Sequence, residues 1–215
     1  MCGGRPTRDD FTYVTGNKQL AFLQHVYRGL KPGGRTAVVM PDNVLFEEGI
    51  GAKIRADLMD KCNLHTILRL PTGIFYAQGV KTNVLFFTRG ATDMGNTQKV
   101  WVYDLRTNMP AFGKRTPLTH AHFVAFETCY GSQSNGTSER IDQGEEGHFR
   151  CFTREAVAKR GDNLDISWLK DDDTHSADDL PEPDETAALI RERLQTAIEE
   201  IEVLTALLEG EEVEA

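Results

Sequence analysis

At 215 residues, with 40 % apolar side chains and a net charge of −9, the chain can bury one globular core and carry an extension. It has no run of about 18 apolar residues and no apolar stretch behind its polar N-terminus, which argues against a membrane-spanning helix and a secretory signal. Its cysteines, Cys2, Cys62, Cys129 and Cys151, include no CxxC pair, which favours reduced thiols in a cytoplasmic setting over disulfides or a zinc site.

The first predicted element is a helix over 17–30, where Leu20, Leu23, Val26 and Leu30 recur every three to four residues. Lys31-Pro32-Gly33-Gly34 ends it, since proline cannot continue a helix and glycine accepts a left-handed cap. Arg35 to Met40 is a short apolar run bounded by Pro41, of a length suited to a strand buried on both faces. A second helix is expected near 50–61, with Ile54 and Leu58 four apart. Strands are expected at Leu64–Leu70, Val80–Thr88 and Val100–Leu105. This rhythm predicts an α/β fold. The last two strands lack a helical spacer, so they are expected to form an antiparallel edge. Two helices and about four strands are few for a doubly wound sheet, which suggests that the chain enters partway through a larger fold.

Residues 131–148 are rich in Gly, Ser, Asn and Glu and read as an exposed or disordered insertion. A short helix, a turn and a brief apolar segment are expected over 151–170, then a linker around Asp171-Asp172-Asp173 and Pro181-Glu182-Pro183. A final helix spans about 184–208. Its Ile190, Leu194, Ala197, Ile201, Leu204 and Leu208 alternate spacings of four and three, a heptad stripe for a partner helix or for packing on its own domain. Charge divides along the same axis. Residues 1–120 hold 16 basic and 9 acidic side chains, a net of +7, while 121–215 hold 8 and 24, a net of −16. A polyanion suits the front half alone; the acidic half aids solubility or repels one. His25 and His65 stand singly, and His120 with His122 lack a third ligand, so no metal is assigned.

Several long segments, in order, resemble the modification (M) subunit of type I restriction-modification systems, an adenine-specific N6 DNA methyltransferase. They are Leu30-Lys31-Pro32-Gly33-Gly34-Arg35, Val39-Met40-Pro41-Asp42-Asn43-Val44-Leu45-Phe46, Leu70-Pro71-Thr72-Gly73-Ile74-Phe75-Tyr76-Ala77-Gln78-Gly79-Val80-Lys81-Thr82-Asn83, Trp101 to Met109, and Leu164 to Lys170. The resemblance covers most of the chain and is weakest in 1–10 and 131–148. It implies a partial Rossmann-like methyltransferase sheet over 1–130, a flexible insertion over 131–150, a linker with a short helix over 151–183, and a helix for subunit association over 184–215.

It further implies transfer of methyl from S-adenosylmethionine to adenine N6 in DNA, with a specificity (S) subunit and a restriction (R) subunit as partners. In this family the donor binds a glycine-rich turn, and an Asn-Pro-Pro-Phe loop holds the adenine. Neither occurs in this sequence: Gly49-Ile50-Gly51 is too short and lacks a preceding strand, and Pro41-Asp42-Asn43 has the order wrong. The family's order puts the missing loop upstream of residue 1. The expectation is therefore a truncated gene or a fragment, inactive alone and with no catalytic residue of its own. The alternative is a non-catalytic module that binds the S subunit.

What the resemblance carries over is the loop Pro71–Gly79, which faces the extruded base. Phe75 is the stacking candidate and Tyr76 the second, with a core role for Phe75 as the alternative. Asp42 and Asn43 are candidates to line the donor or base pocket, or form a plain turn. Lys81 and Arg69 flank the loop as candidate phosphate contacts. Ile190, Leu194, Ile201, Leu204 and Leu208 are the candidate subunit interface.

Overall fold

The computed structural model describes residues 11–75, 79–110, 112–113 and 116–169, and residues 191, 194, 195, 198 and 201 of the C-terminal segment. The chain divides into two units, Met1–Asp171 and Asp172–Ala215. In the first, the order is α1 (Lys18–Gly29), β1 (Arg35–Pro41), the single turn α2 (Asn43–Phe46), α3 (Ile50–Lys61), β2 (Cys62–Leu70), β3 (Thr82–Arg89) and β4 (Lys99–Asp104). A 3-10 turn (His120–Phe123), α4 (Val124–Tyr130), β5 (Phe149–Thr153) and α5 (Arg154–Lys159) follow.

The side chain of Asn17 caps α1 by accepting from the amides of Gln19 and Leu20. Leu20, Leu23 and Tyr27 of α1 are buried with Ile54, Leu58 and Met59 of α3 in one apolar cluster. That cluster takes one face of the sheet. Along β4, Val100 and Val102 belong to it, while the alternate residues Trp101 and Tyr103 belong to a second cluster with Phe126 of α4 and Phe149 of β5. Trp101 stacks on Phe149 at 4.8 Å between ring centres, and Tyr103 meets Phe126 edge-on at 5.4 Å. On β2 the register shifts between Leu64 and Thr66, so Leu64 and Ile67 share one face although their numbers differ in parity.

The five strands lie in the order β1-β3-β2-β4-β5. The expected antiparallel edge from the last two predicted strands is not what forms. β3 is antiparallel, but it sits inside the sheet between β1 and β2. β4 pairs parallel to β2, and the pairings at both borders, β1 with β3 and β5 with β4, are antiparallel; the residue pattern does not separate β5 from the helix after it. β5 also straddles the expected boundary at residue 150.

The expectation that β1 is buried on both faces is likewise corrected. β1 pairs with β3 alone among the described strands, and Val39 is 48 % exposed. An apolar strand at a sheet border keeps one row of backbone groups unpaired and its outer side chains uncovered.

Residues 131–148 form no helix or strand and are mostly exposed. They are nevertheless pinned to the sheet. Arg140 donates to the Thr66 hydroxyl (3.0 Å), to the backbone of His65 (3.3 Å) and to that of Tyr130 (3.2 Å), with its guanidinium 4.6 Å from the Tyr130 ring. In the second unit Arg191, Leu194, Gln195, Ile198 and Ile201 are helical. No helix among the described residues is long and apolar enough to cross a membrane.

Candidate functional site

β1, β2 and β4 run parallel to one another, so their carboxyl ends lie together at one border of the sheet with the start of β3 between them. Open α/β sheets bind ligands at this border. The loop of residues 71–81 springs from it, leaving at the end of β2 and returning at the start of β3, where Leu70 and Thr82 face each other in register.

Arg106, two residues beyond β4, closes the base of this loop. Its Nε donates to the Leu70 carbonyl (3.0 Å) and its Nη2 to the Thr82 carbonyl (2.9 Å), so it holds both feet. The same guanidinium grips the carboxylate of Asp42 from two nitrogens (2.6 and 3.2 Å) and reaches the side-chain oxygen of Asn83 (3.1 Å). Asn83 donates in turn to Asp42 (2.6 Å), and the Asp42 amide donates to the Lys81 carbonyl (3.0 Å). Burial alone would raise the Asp42 carboxyl. The hydrogen bonds from Arg106 and Asn83 and the Arg106 charge overcome that and hold it below the ordinary carboxylate value.

Within the loop, Gly73 has φ +81°, and a Cβ built there would lie 2.2 Å from the carbonyl oxygen of Phe112. Only glycine satisfies both the left-handed backbone and the close approach. Beside this contact lies an open apolar cavity of about 960 Å³. Leu70, Ile74, Phe75, Val84, Phe112 and Phe123 line it. Phe112 and Phe123 are on the cavity wall although no periodic pattern marks them; Phe112 is held edge-on by His122 at 5.1 Å.

The expected residues fall as follows. Phe75 lies at the cavity, 44 % exposed. Tyr76 lies outside the described residues, as do Ile190, Leu204 and Leu208. Asp42 belongs to the Arg106 network. Asn43 is the partly buried first residue of α2, and its carbonyl accepts from the Glu47 amide. Lys81 is exposed at the foot of the loop.

Arg69 departs from its expected phosphate contact. It is 5 % exposed, and its guanidinium bonds to the Asp165 carboxylate (2.8 Å), the Ser167 hydroxyl (2.6 Å) and the Ile166 carbonyl. β2 is an inner strand, so an arginine near its end is shielded and must find partners inside the fold. Arg106, which no spacing singles out, is the cation that meets the loop. The one local hint is Asn83, a polar residue opening the apolar run that becomes β3: buried polar groups require a partner.

Leu194, Ile198 and Ile201, spaced four and three apart, are 59 %, 49 % and 61 % exposed. Among the described residues no three His, Cys, Asp or Glu side chains are grouped to hold a metal.

A family model described as N-6 DNA Methylase matches residues 6–177. The methylase subunit of the type I restriction enzyme StySJI from Salmonella typhimurium is 52 % identical over 235 residues, covering 95 % of this chain and 44 % of the relative. That of EcoKI from Escherichia coli is 52 % identical over 223 residues, covering 90 % and 42 %. The crystal structure of the EcoKI M protein matches with a TM-score of 0.72 at 51 % identity, over 92 % of this chain and 46 % of that one. A type I methyltransferase subunit from Streptococcus thermophilus matches at 0.56 and 25 % identity, over 75 % and 32 %. The chain thus spans less than half the length of these relatives. With the family match running through the whole five-stranded sheet and the loop it carries, the chain belongs to the N-6 DNA methylase family, alongside the methylase subunits of type I restriction enzymes.

Proposed function

We propose that this sequence forms part of a type I M subunit whose complete form transfers methyl from S-adenosylmethionine to adenine N6 in DNA, in the cytoplasm. The observation that carries the reading is the apolar cavity with Phe75 at its wall, at the carboxyl border of the sheet. A base undergoing chemistry must leave the duplex stack, and an aromatic face offsets the lost stacking. Phe75 supplies that face, and Lys81, exposed at the foot of the same loop, supplies charge for the neighbouring phosphate.

Gly49-Ile50-Gly51 makes no cradle for the donor. It follows the single turn α2 instead of a strand, and a Cβ at Gly51 would meet Glu47 at 3.0 Å and Arg55 at 3.2 Å, so the turn is filled by its own side chains. In our reading the donor site is supplied by another part of the complete M subunit.

Substituting Phe75 by Ala in a complete M subunit is expected to lower methylation by about 5- to 150-fold, the loss of one stacking contact of roughly 1–3 kcal/mol. An undiminished rate would return Phe75 to a packing role.

The second unit supplies the partner contact. Leu194, Ile198 and Ile201 form an exposed apolar stripe at helical spacing, which suits a helix of the S subunit. With Ile201 and Leu204 both replaced by Glu, co-purification with a cognate S subunit is expected to be lost. Association at the wild-type level would count against the stripe as the contact. The R subunit joins the same assembly in this reading.

A further inference from the structure

We infer that Arg106 is a positioning residue, whose guanidinium holds both feet of the loop 71–81 and ties them to Asp42, so that Phe75 is presented at the cavity. The inference rests on the reading of Phe75 as the stacking residue, but its first test does not.

Three separate parts of the chain meet on this one side chain. The Leu70 and Thr82 carbonyls are the last and first residues of β2 and β3, and Asp42 follows β1. Arg106 itself is placed by the turn after β4: the Asp104 carboxylate accepts from the amides of Arg106 and Thr107, at 2.7 and 3.1 Å. A planar fork reaches these acceptors at once, which an ammonium on a flexible stem does not. Side-chain exposures of 14 % for Arg106 and 16 % for Asp42 keep water from replacing the bonds. Of the eleven residues between the feet, those described form no helix or strand; the fixed feet, the Gly73–Phe112 approach and the packing of Ile74 on the second apolar cluster hold them. Arg69, the cation one residue before Leu70, is spent on Asp165, Ser167 and Ile166.

The test uses Arg106→Lys, which keeps the charge and loses the fork. In the full 215-residue chain, hydrogen exchange is followed at two ends of the same β1–β3 pair. At the clamp end, the Asp42 amide donates to Lys81. At the far end, the Gly33 amide donates to Arg89 and the Arg89 amide to Gly34.

We expect exchange at Asp42 to rise by about tenfold or more, the loss of roughly one charge-assisted bond, with Gly33 and Arg89 unchanged. Equal acceleration at both ends, or none, overturns the assignment. If Arg106→Lys does not fold, Asp42→Asn carries the same comparison with the same two outcomes.

In a complete M subunit, Arg106→Lys is expected to lower kcat and leave the KM for the methyl donor unchanged. It should also weaken the fluorescence signal of an extruded 2-aminopurine at the target position. Local fraying in the 215-residue chain with kcat and the probe signal unchanged would show that the clamp does not position the loop for the reaction. If the wild-type subunit itself fails to methylate, it is the functional reading that fails, and the exchange result still stands.

Discussion

Replacing Arg55 with Met is expected to lower the free energy of unfolding by about 3 kcal/mol, seen as a fall of about 1–2 M in the urea midpoint. Arg55 is 1 % exposed and belongs to α3. It donates to the carbonyls of Val44 (3.1 Å) and Glu47 (2.8 Å) at the α2 turn, and of Asp162 (2.6 Å) beyond α5. It therefore joins three pieces that share no strand ladder.

Two effects oppose each other. Burial of the guanidinium pushes its pKa down to about 10, against the pull of Asp162 and Glu47. Removing the charge relieves a penalty of about 3 kcal/mol. Three hydrogen bonds from a charged donor, at roughly 1.5–3 kcal/mol each, are lost, and their carbonyls lose this partner inside the fold. The bonds win, and methionine fills much of the stem's volume, so the loss is electrostatic more than a cavity effect. A midpoint within experimental error of wild type would mean that water reaches these carbonyls.

The second large effect is a loss of stability in mild acid that depends on His65. The side chain is 4 % exposed at the irregularity of β2, with Nδ1 2.9 Å from the Thr66 hydroxyl and its ring so close to Gly136 that a Cβ there would lie 2.4 Å from it. Burial, and after it the charge of Arg140, lower its pKa to about 4. An unfolded histidine titrates near 6.5. Between those values the unfolded chain binds a proton that the folded chain does not, so stability falls as pH falls. It is fully present above about 6.5 and declines toward about 4, by about 3 kcal/mol in all.

Urea midpoints at pH 7.5 and 4.5 check this. The wild type should lose about 2–3 kcal/mol more across that interval than His65→Gln, whatever the variant costs at neutral pH. Equal losses in the two proteins would assign the acid sensitivity to other groups. The same histidine explains how a loop as polar as 131–148 stays in place: Arg140 and Gly136 close over it.

The local elements were legible because their causes are local. The three-to-four spacing in 17–30, ended by Pro32 and Gly33, specified α1. The apolar runs near 35, 64, 80 and 100 became β1 to β4 with ends shifted by one or two residues. Two elements escaped for local reasons as well. Phe149–Thr153 is only five residues long and follows a glycine- and glutamate-rich stretch, and α4 has a single fully buried residue, Phe126, so neither shows a full period. The ordered segments that resemble the M subunit pointed to the loop 71–79 and to Phe75; of these, Gly73, Ile74 and Phe75 line a cavity beyond the end of β2.

What each strand pairs with is a different kind of question. β3 enters between β1 and β2, and β4 turns parallel to β2, so β1 and β4 each find a partner beyond the strand next to them in the chain. No run of residues contains that pairing. The strand order then decides the fates of two arginines that look alike in the chain. Arg69 near the end of an inner strand is enclosed and neutralised by Asp165, ninety-six residues later, while Arg106 emerges beside Leu70, Thr82 and Asp42 and becomes the brace of the loop. Alone, the sequence determined most of the local elements of the sheet and the family they belong to; the assembled sheet decided which charges are hidden and which are left to act, since burial and partners exist only once distant strands have met.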